Sequence, residues 1–116
     1  MKRVRIGNDL TVSLLIKNNG ATYDLTGKEV KVYLVSPSSN TLIGNTVINS
    51  NNISFVFKGV DQLICGKYNV LVKITDGSLT HTLDSLDGFK LVDRSYKAGG
   101  SDGNFEVESV NLTFSV

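Results

Sequence analysis

Apolar side chains recur at every second position in segment after segment of this sequence. Leu10, Val12, Leu14 and Ile16 form one such run, Val30, Val32 and Leu34 another, Ile53, Phe55 and Phe57 a third, and Tyr68, Val70, Val72 and Ile74 a fourth. A period of two belongs to strands that bury one face, and an α-helix cannot use it. Between the runs stand Asn18-Asn19-Gly20, Thr26-Gly27, Ser36-Pro37-Ser38-Ser39-Asn40, residues 49–52, Asp76-Gly77 and Asp87-Gly88. These are turn formers, because Gly and Asn tolerate positive φ. Strand and turn thus alternate about every ten residues, the rhythm of an antiparallel sandwich. The composition agrees: Val, Ile and Thr supply 30 residues against 2 Ala and 3 Glu, and β-branched side chains fit a pleated surface. A chain of 116 residues has room for one domain, residues 1–116, and not for two.

The expected fold is all-β, an immunoglobulin-like antiparallel β-sandwich of seven to eight strands. Asp76-Gly77 lies between the strand-like residues 68–75 and 78–83 and predicts a hairpin with a type I′ turn. Residues 49–52 join 46–48 to 53–57 in the same manner. Residues 60–63 lack alternation and are expected to make a single helical turn that crosses between the sheets. Taking the inward half of each strand assigns the core to Val12, Leu14, Ile16, Val30, Val32, Leu34, Phe55, Phe57, Tyr68, Val70, Val72, Leu83, Leu91 and Leu112. Tyr68, directly after Gly66-Lys67, is placed to anchor the crossing as a tyrosine corner does.

Several functions are disfavoured at once. A formal net charge of +1 gives no broad field to hold phosphate backbones or acidic lipid, so no nucleic-acid partner is expected. One Cys cannot form an internal disulfide, and one Cys with one His cannot complete a zinc site of nitrogen and sulfur ligands. No apolar stretch reaches the ~18 residues of a membrane helix, so no membrane insertion is expected. The basic start Met1-Lys2-Arg3-Val4-Arg5 is interrupted by Asn8 and Asp9, with no small-residue cleavage site after it. It is therefore not read as a signal peptide, and synthesis in the cytosol is expected.

No catalytic residue, cofactor or metal is expected. His81, the single imidazole, falls in phase with Leu79 and Leu83 and reads as a structural histidine, since no Ser or Cys has a nucleophile context beside it. Cys65, between Ile64 and Gly66, reads as a small buried hydrophobe. Asp84, Asp87 and Asp76 match no calcium loop and read as solvated turn residues. Nothing places two carboxylates across a cleft for glycoside hydrolysis, and with no Trp a sugar platform would rest on Tyr or Phe.

Toward the end of the chain, residues 98–104 form a Gly-rich stretch expected to be flexible, followed by a terminal strand, 105–116. Its apolar phase changes from Phe105 and Val107 to Val110, Leu112, Phe114 and Val116. It either closes its own sheet, with a bulge at Ser109, or turns a second apolar face to another molecule. On the second reading, Lys2, Arg3 and Arg5 with Val110, Leu112, Phe114 and Val116 form an interface for a homo-oligomer or a neighbouring protein.

The step Tyr23-Asp24-Leu25-Thr26-Gly27 into Lys28-Glu29-Val30-Lys31-Val32, following a first strand and an Asn-Gly turn, resembles the N-terminal β-sandwich of phage baseplate upper proteins and related tail and fibre proteins. Phe55-Val56-Phe57, Asp61 and Gly66-Lys67-Tyr68 are similar to the strand, crossing and Gly-x-Tyr step of such immunoglobulin-like modules. Phe89-Lys90-Leu91-Val92 through Ala98-Gly99-Gly100 to Leu112 resembles their close in virion proteins of phages and prophages of gut Bacteroidetes. The resemblance implies a virion structural protein, an attachment or assembly module without catalysis, whose partners are other virion proteins and itself. It fixes no binding residue. The alternative is a carbohydrate- or peptide-binding sandwich of a bacterial cell-surface system.

Overall fold

The computed structural model describes residues 2–85, 88–93 and 109–116. Within them lie eleven strands and a single 3₁₀ turn. The strands are β1 (Lys2–Arg5), β2 (Leu10–Asn18), β3 (Ala21–Thr22), β4 (Glu29–Ser36), β5 (Ser39–Ile43), β6 (Val47–Asn49), β7 (Asn52–Phe57), β8 (Gly66–Asp76), β9 (Leu79–Asp84), β10 (Phe89–Val92) and β11 (Ser109–Ser115). The 3₁₀ turn, Gly59–Asp61, stands where the sequence predicts a helical crossing. The chain is an all-β, immunoglobulin-like sandwich.

One sheet runs β1-β10-β8-β4-β5 with β9 also on β8, and the other runs β11-β2-β7-β6 with β3 on β2. The excess over eight strands comes from short pieces such as β1 and β3, too brief to carry a periodic signal. Both β9 and β10 pair antiparallel with β8, and the register shifts by two residues between Leu71↔Asp84 and Tyr68↔Phe89. Ser85 spans the shift: its N–H donates to the Val70 carbonyl and its Oγ accepts from the Val70 N–H, each at 3.0 Å. The two parallel pairs, β1 with β10 and β11 with β2, lie at sheet edges.

Eleven of the fourteen expected core residues are buried, while Val30, Leu83 and Leu112 are partly buried and pack against them. The core is larger than expected, adding Val4, Leu10, Leu25, Ile53, Ile74, Phe89, Val92, Val110 and Phe114. At one end Tyr68 stacks on Phe89 with ring centroids 5.5 Å apart and meets Phe57 edge-on at 5.7 Å. Gly88 admits no side chain, because a Cβ there would fall onto the Tyr68 carbonyl.

The turns correct one expectation. Asp76 pairs with Leu79, so the central residues are Gly77 and Ser78, and only Gly77 has positive φ, at 62°. That is the pattern of a type II′ turn and not of type I′, because β8 extends through Asp76. Asn19 and Gly20, at φ 51° and 82°, form a two-residue turn of the I′ kind between β2 and β3. Ser50 holds φ 56° in the β6–β7 hairpin, where it and Asn51 are pinned. The Ser50 carbonyl accepts from the Leu25 N–H at 3.0 Å, and the Asn51 carbonyl accepts from the Ile16 N–H at 2.9 Å.

Candidate functional site

Sandwich edges differ in charge, and that difference locates the surface most suited to a partner. No Asp, Glu, Lys or Arg occurs from Val32 to Phe57, a span that holds β5 and β6, one edge strand of each sheet. Free edges are normally protected by charge, because unpaired N–H and C=O groups otherwise template another strand. Here the protection is missing, and Leu42 of β5 and Val47 and Ile48 of β6 are exposed, Leu42 by 53% and Val47 by 64%.

Beside this flank a groove of about 750 Å³ opens between the sheets. From the β4–β5 sheet come Leu34, Ser36, Ser39, Thr41, Leu42, Ile43 and Tyr68, and from β7 and the crossing come Val56, Phe57, Lys58, Asp61, Leu63 and Ile64. The groove stays open because β6 pairs only as far as Ser54 of β7, leaving the Val56 carbonyl to the Asn45 side chain at 3.5 Å.

Two side chains hold the crossing in place. The Tyr68 hydroxyl donates to the Ile64 carbonyl at 2.8 Å, holding the end of the crossing against the strand it enters, as the tyrosine-corner expectation requires. Gln62 is buried and fully bonded: its Oε1 accepts from the Gly7 N–H at 2.8 Å, and its Nε2 donates to the carbonyls of Asn8 at 2.7 Å and Phe57 at 3.0 Å. The Gly59 N–H donates to the Asp9 carboxylate at 2.8 Å. The crossing is thereby locked to the β1–β2 turn, and its apolar residues Val60, Leu63 and Ile64 are left facing water.

The residues expected at an interface divide. Val110 and Phe114 are buried in the chain's own core, and Leu112 and Val116 pack against it. The described part of the terminal strand therefore keeps a single apolar phase and closes its own sheet beside β2, over the register Ser109↔Thr11 to Ser115↔Lys17. Of the two readings of this segment the described residues follow the first, and Val110 and Phe114 are spent inside the domain. Lys2 lines a second, smaller groove with Leu112 and Phe114; Arg3 and Arg5 follow along β1. The stretch 98–104, the earlier apolar positions Phe105 and Val107, and Asp87 lie outside the described residues.

His81 pairs with Ile74 and sits half-buried, edge-on to Tyr23 at 6.4 Å. Cys65 is exposed and not buried, because it lies on the crossing and not on the inward face of a strand. Asp76 and Asp84 occupy opposite ends of the β8–β9 hairpin. Among the described residues no cluster of His, Cys, Asp and Glu is placed to hold a metal ion. Asp24 is held below the usual carboxylate range by hydrogen bonds from the Thr26 N–H, at 3.0 Å, and from its hydroxyl, at 2.8 Å, with the nearby Lys28 charge adding to them. These bonds close the Asp-Leu-Thr-Gly turn into β4.

No protein-family model and no curated protein matches the chain. A solved structure of a candidate glycoside hydrolase from Bacteroides vulgatus is similar over 80% of this chain and 16% of its own, at 10% identity and a TM-score of 0.46.

Proposed function

We propose that this chain is a non-catalytic attachment or assembly module of a phage virion, acting in the tail, baseplate or fibre apparatus. The observation that carries the reading is the open flank: two uncharged edge strands, β5 and β6, with Leu42, Val47 and Ile48 exposed along them. Clustered exposed apolar residues at a free strand edge suit docking by strand addition, where main-chain hydrogen bonds supply affinity and side chains supply register. The resemblance of the Asp24-Leu25-Thr26-Gly27 and Gly66-Lys67-Tyr68 steps to virion sandwich modules supplies the virion context.

The test is immunogold electron microscopy of particles induced from the source strain, with antibodies raised against this chain. Label on the tail or baseplate is the expected result; particles that purify free of the protein overturn the reading. A second reading, a carbohydrate- or peptide-binding module of a bacterial surface system, is favoured by one feature, the groove whose lining mixes the hydroxyls of Ser36, Ser39 and Thr41 with the apolar side chains of Val56, Phe57, Leu63 and Ile64. Saturable binding of a glycan or peptide, abolished by Val56→Asp, together with unlabelled particles would select it.

A further inference from the structure

We propose that the outer face of the β1-β10-β8-β4-β5 sheet docks an extended protein segment that has an apolar centre and carboxylates at both ends. The inference rests on the reading of the chain as an assembly module and gives the chemistry of one partner. It concerns the broad face of the sheet, whereas the open flank concerns its edge.

The pairing registers set basic side chains directly opposite one another on that face. Lys31 of β4 faces Lys73 of β8, and Lys67 of β8 faces Lys90 of β10, which in turn lies beside Arg3 of β1. All of these are exposed, while the alternate residues Val32, Val72, Tyr68 and Leu91 are buried. Like charges directly opposite destabilise a sheet, so the fold gains nothing from this arrangement. It suits a counter-charge brought from outside. Two acids share the face, Glu29 at 3.6 Å from Lys31, and Asp84 opposite Leu71, and they leave the basic groups in excess. In the strands of the other sheet Lys17 is the only charged residue. The formal net charge of +1 thus conceals a basic field on one side of the sandwich.

The space between the lysines is apolar. Along β8, Lys67 and Lys73 are six residues apart, about 20 Å at ~3.3 Å per residue. Between them stand Leu71, Tyr33 and Val35, half-buried with Asn69, and the exposed Leu42 continues the cross-strand row of Leu71 and Tyr33. An apolar centre inside a charged rim is the anatomy of a protein interface. Nucleic acids and acidic polysaccharides instead repeat their charge along the chain, which would set anions against Leu71 and Val35. Tyr33 already carries the Lys73 Nζ 5.6 Å from its ring centroid, where a stacked base or sugar would sit. A second copy of this chain fits no better. Two such faces repel, and the described acids lie singly in turns or at strand ends, as Asp9, Asp24, Asp61 and Asp76 do.

Fluorescence anisotropy on the full chain reads the binding of a labelled synthetic peptide with glutamates on either side of about five apolar residues, the length between Lys67 and Lys73. Saturable binding that weakens as salt rises is expected. Lys73→Glu and Lys90→Glu should each weaken it by roughly tenfold, since each sets like charge against the peptide. Lys17→Glu, on the other sheet, should leave it unchanged. Lys90→Gln should weaken binding and yet hold the urea midpoint at or above that of the wild type, because it removes a charge from between Lys67 and Arg3. The same peptide with glutamine for glutamate, a labelled oligothymidylate and alginate are the comparisons. Saturation absent at any peptide concentration, equal binding of the glutamine peptide, tighter binding of the oligothymidylate or alginate, indifference to Lys73→Glu, or a clear fall in the midpoint of Lys90→Gln would each overturn the proposal. Particle labelling reports separately: a labelled particle with a chain that binds no acidic peptide removes this proposal alone, and binding by a chain absent from particles removes the virion reading alone.

Discussion

Truncating Tyr68 separates what its ring does from what its hydroxyl does. The ring is 7% exposed, lies parallel to Phe89 within 7° and meets Phe57 at an interplanar angle of 61°. Removing such a ring costs about 3–5 kcal/mol, combining lost burial with the cavity left behind. The hydroxyl makes one bond, to the Ile64 carbonyl, and Ile64 is itself 51% exposed. Water can replace that bond, so Tyr68→Phe should cost only about 1 kcal/mol. With an m-value of roughly 1.5 kcal/mol per molar urea, the midpoint should fall by about 2–3 M for Tyr68→Ala and by under about 1 M for Tyr68→Phe. Circular dichroism at the β band follows both transitions. Burial of the ring, and then the Cys65 charge, push the Tyr68 phenol above 10. Its contribution is therefore present below pH 10 and is lost as the pH rises through the folded value; Tyr68→Phe should lack that part of the alkaline decline. A loss under half a kcal/mol for Tyr68→Ala, or equal losses for both variants, would refute the assignment of the ring as the anchor of this end of the core.

Phe114→Ala, 3% exposed in the wild type, should lose about 3–5 kcal/mol by urea unfolding without changing the association state, because its ring serves the core and not a partner. Gly88→Ala places a Cβ on the Tyr68 carbonyl and should cost at least about 1–3 kcal/mol, whereas Gly44→Ala meets nothing and should leave the thermal midpoint near that of the wild type. Gln62→Ala orphans the Gly7 N–H and the Asn8 and Phe57 carbonyls, and should cost about 2–3 kcal/mol with faster amide exchange in the β1–β2 turn. The Asp24 carboxyl should titrate by NMR with a midpoint below 3.8. Its bonds to Thr26 are kept above that range and lost as the pH falls through the folded value, and Thr26→Val should move the midpoint upward.

Strand phases were legible wherever alternation ran for three or more pairs, as in β2, β4, β7 and β8. Leu10, Ile53 and Ile74 stood in those same phases, and Phe89 stands in phase with Leu91 of β10, so carrying the alternation to the strand ends would have placed them in the core. Leu25 could not be found that way. It lies between strands and is buried because its N–H reaches the Ser50 carbonyl at 3.0 Å, a contact between residues distant in sequence. Cys65 was misread for a related reason: its apolar neighbours suggest burial, but the crossing is tied down by Gln62 and Tyr68, so its own side chains are free to face water. Gln62 left no periodic trace, since a buried amide is defined by the backbone groups that converge on it. The open flank was legible only in part. The charge-free span is plain in the sequence, yet that β5 and β6 both end their sheets is a fact of topology.

The parallel pairing of β11 with β2 also sets a timetable for folding. Val12 takes Val110 as its neighbour, so one of the first strands made waits for one of the last. Closing so large a loop costs entropy before any contact rewards it, and chains dominated by such non-local pairs fold slowly. During synthesis the β2 edge stays open until the β11 residues leave the ribosome, and over that interval β2 is available to strands of other nascent chains. The domain should thus register as fully protected in pulse-labelled amide exchange only in the last kinetic phase, with β2 and β11 acquiring protection together.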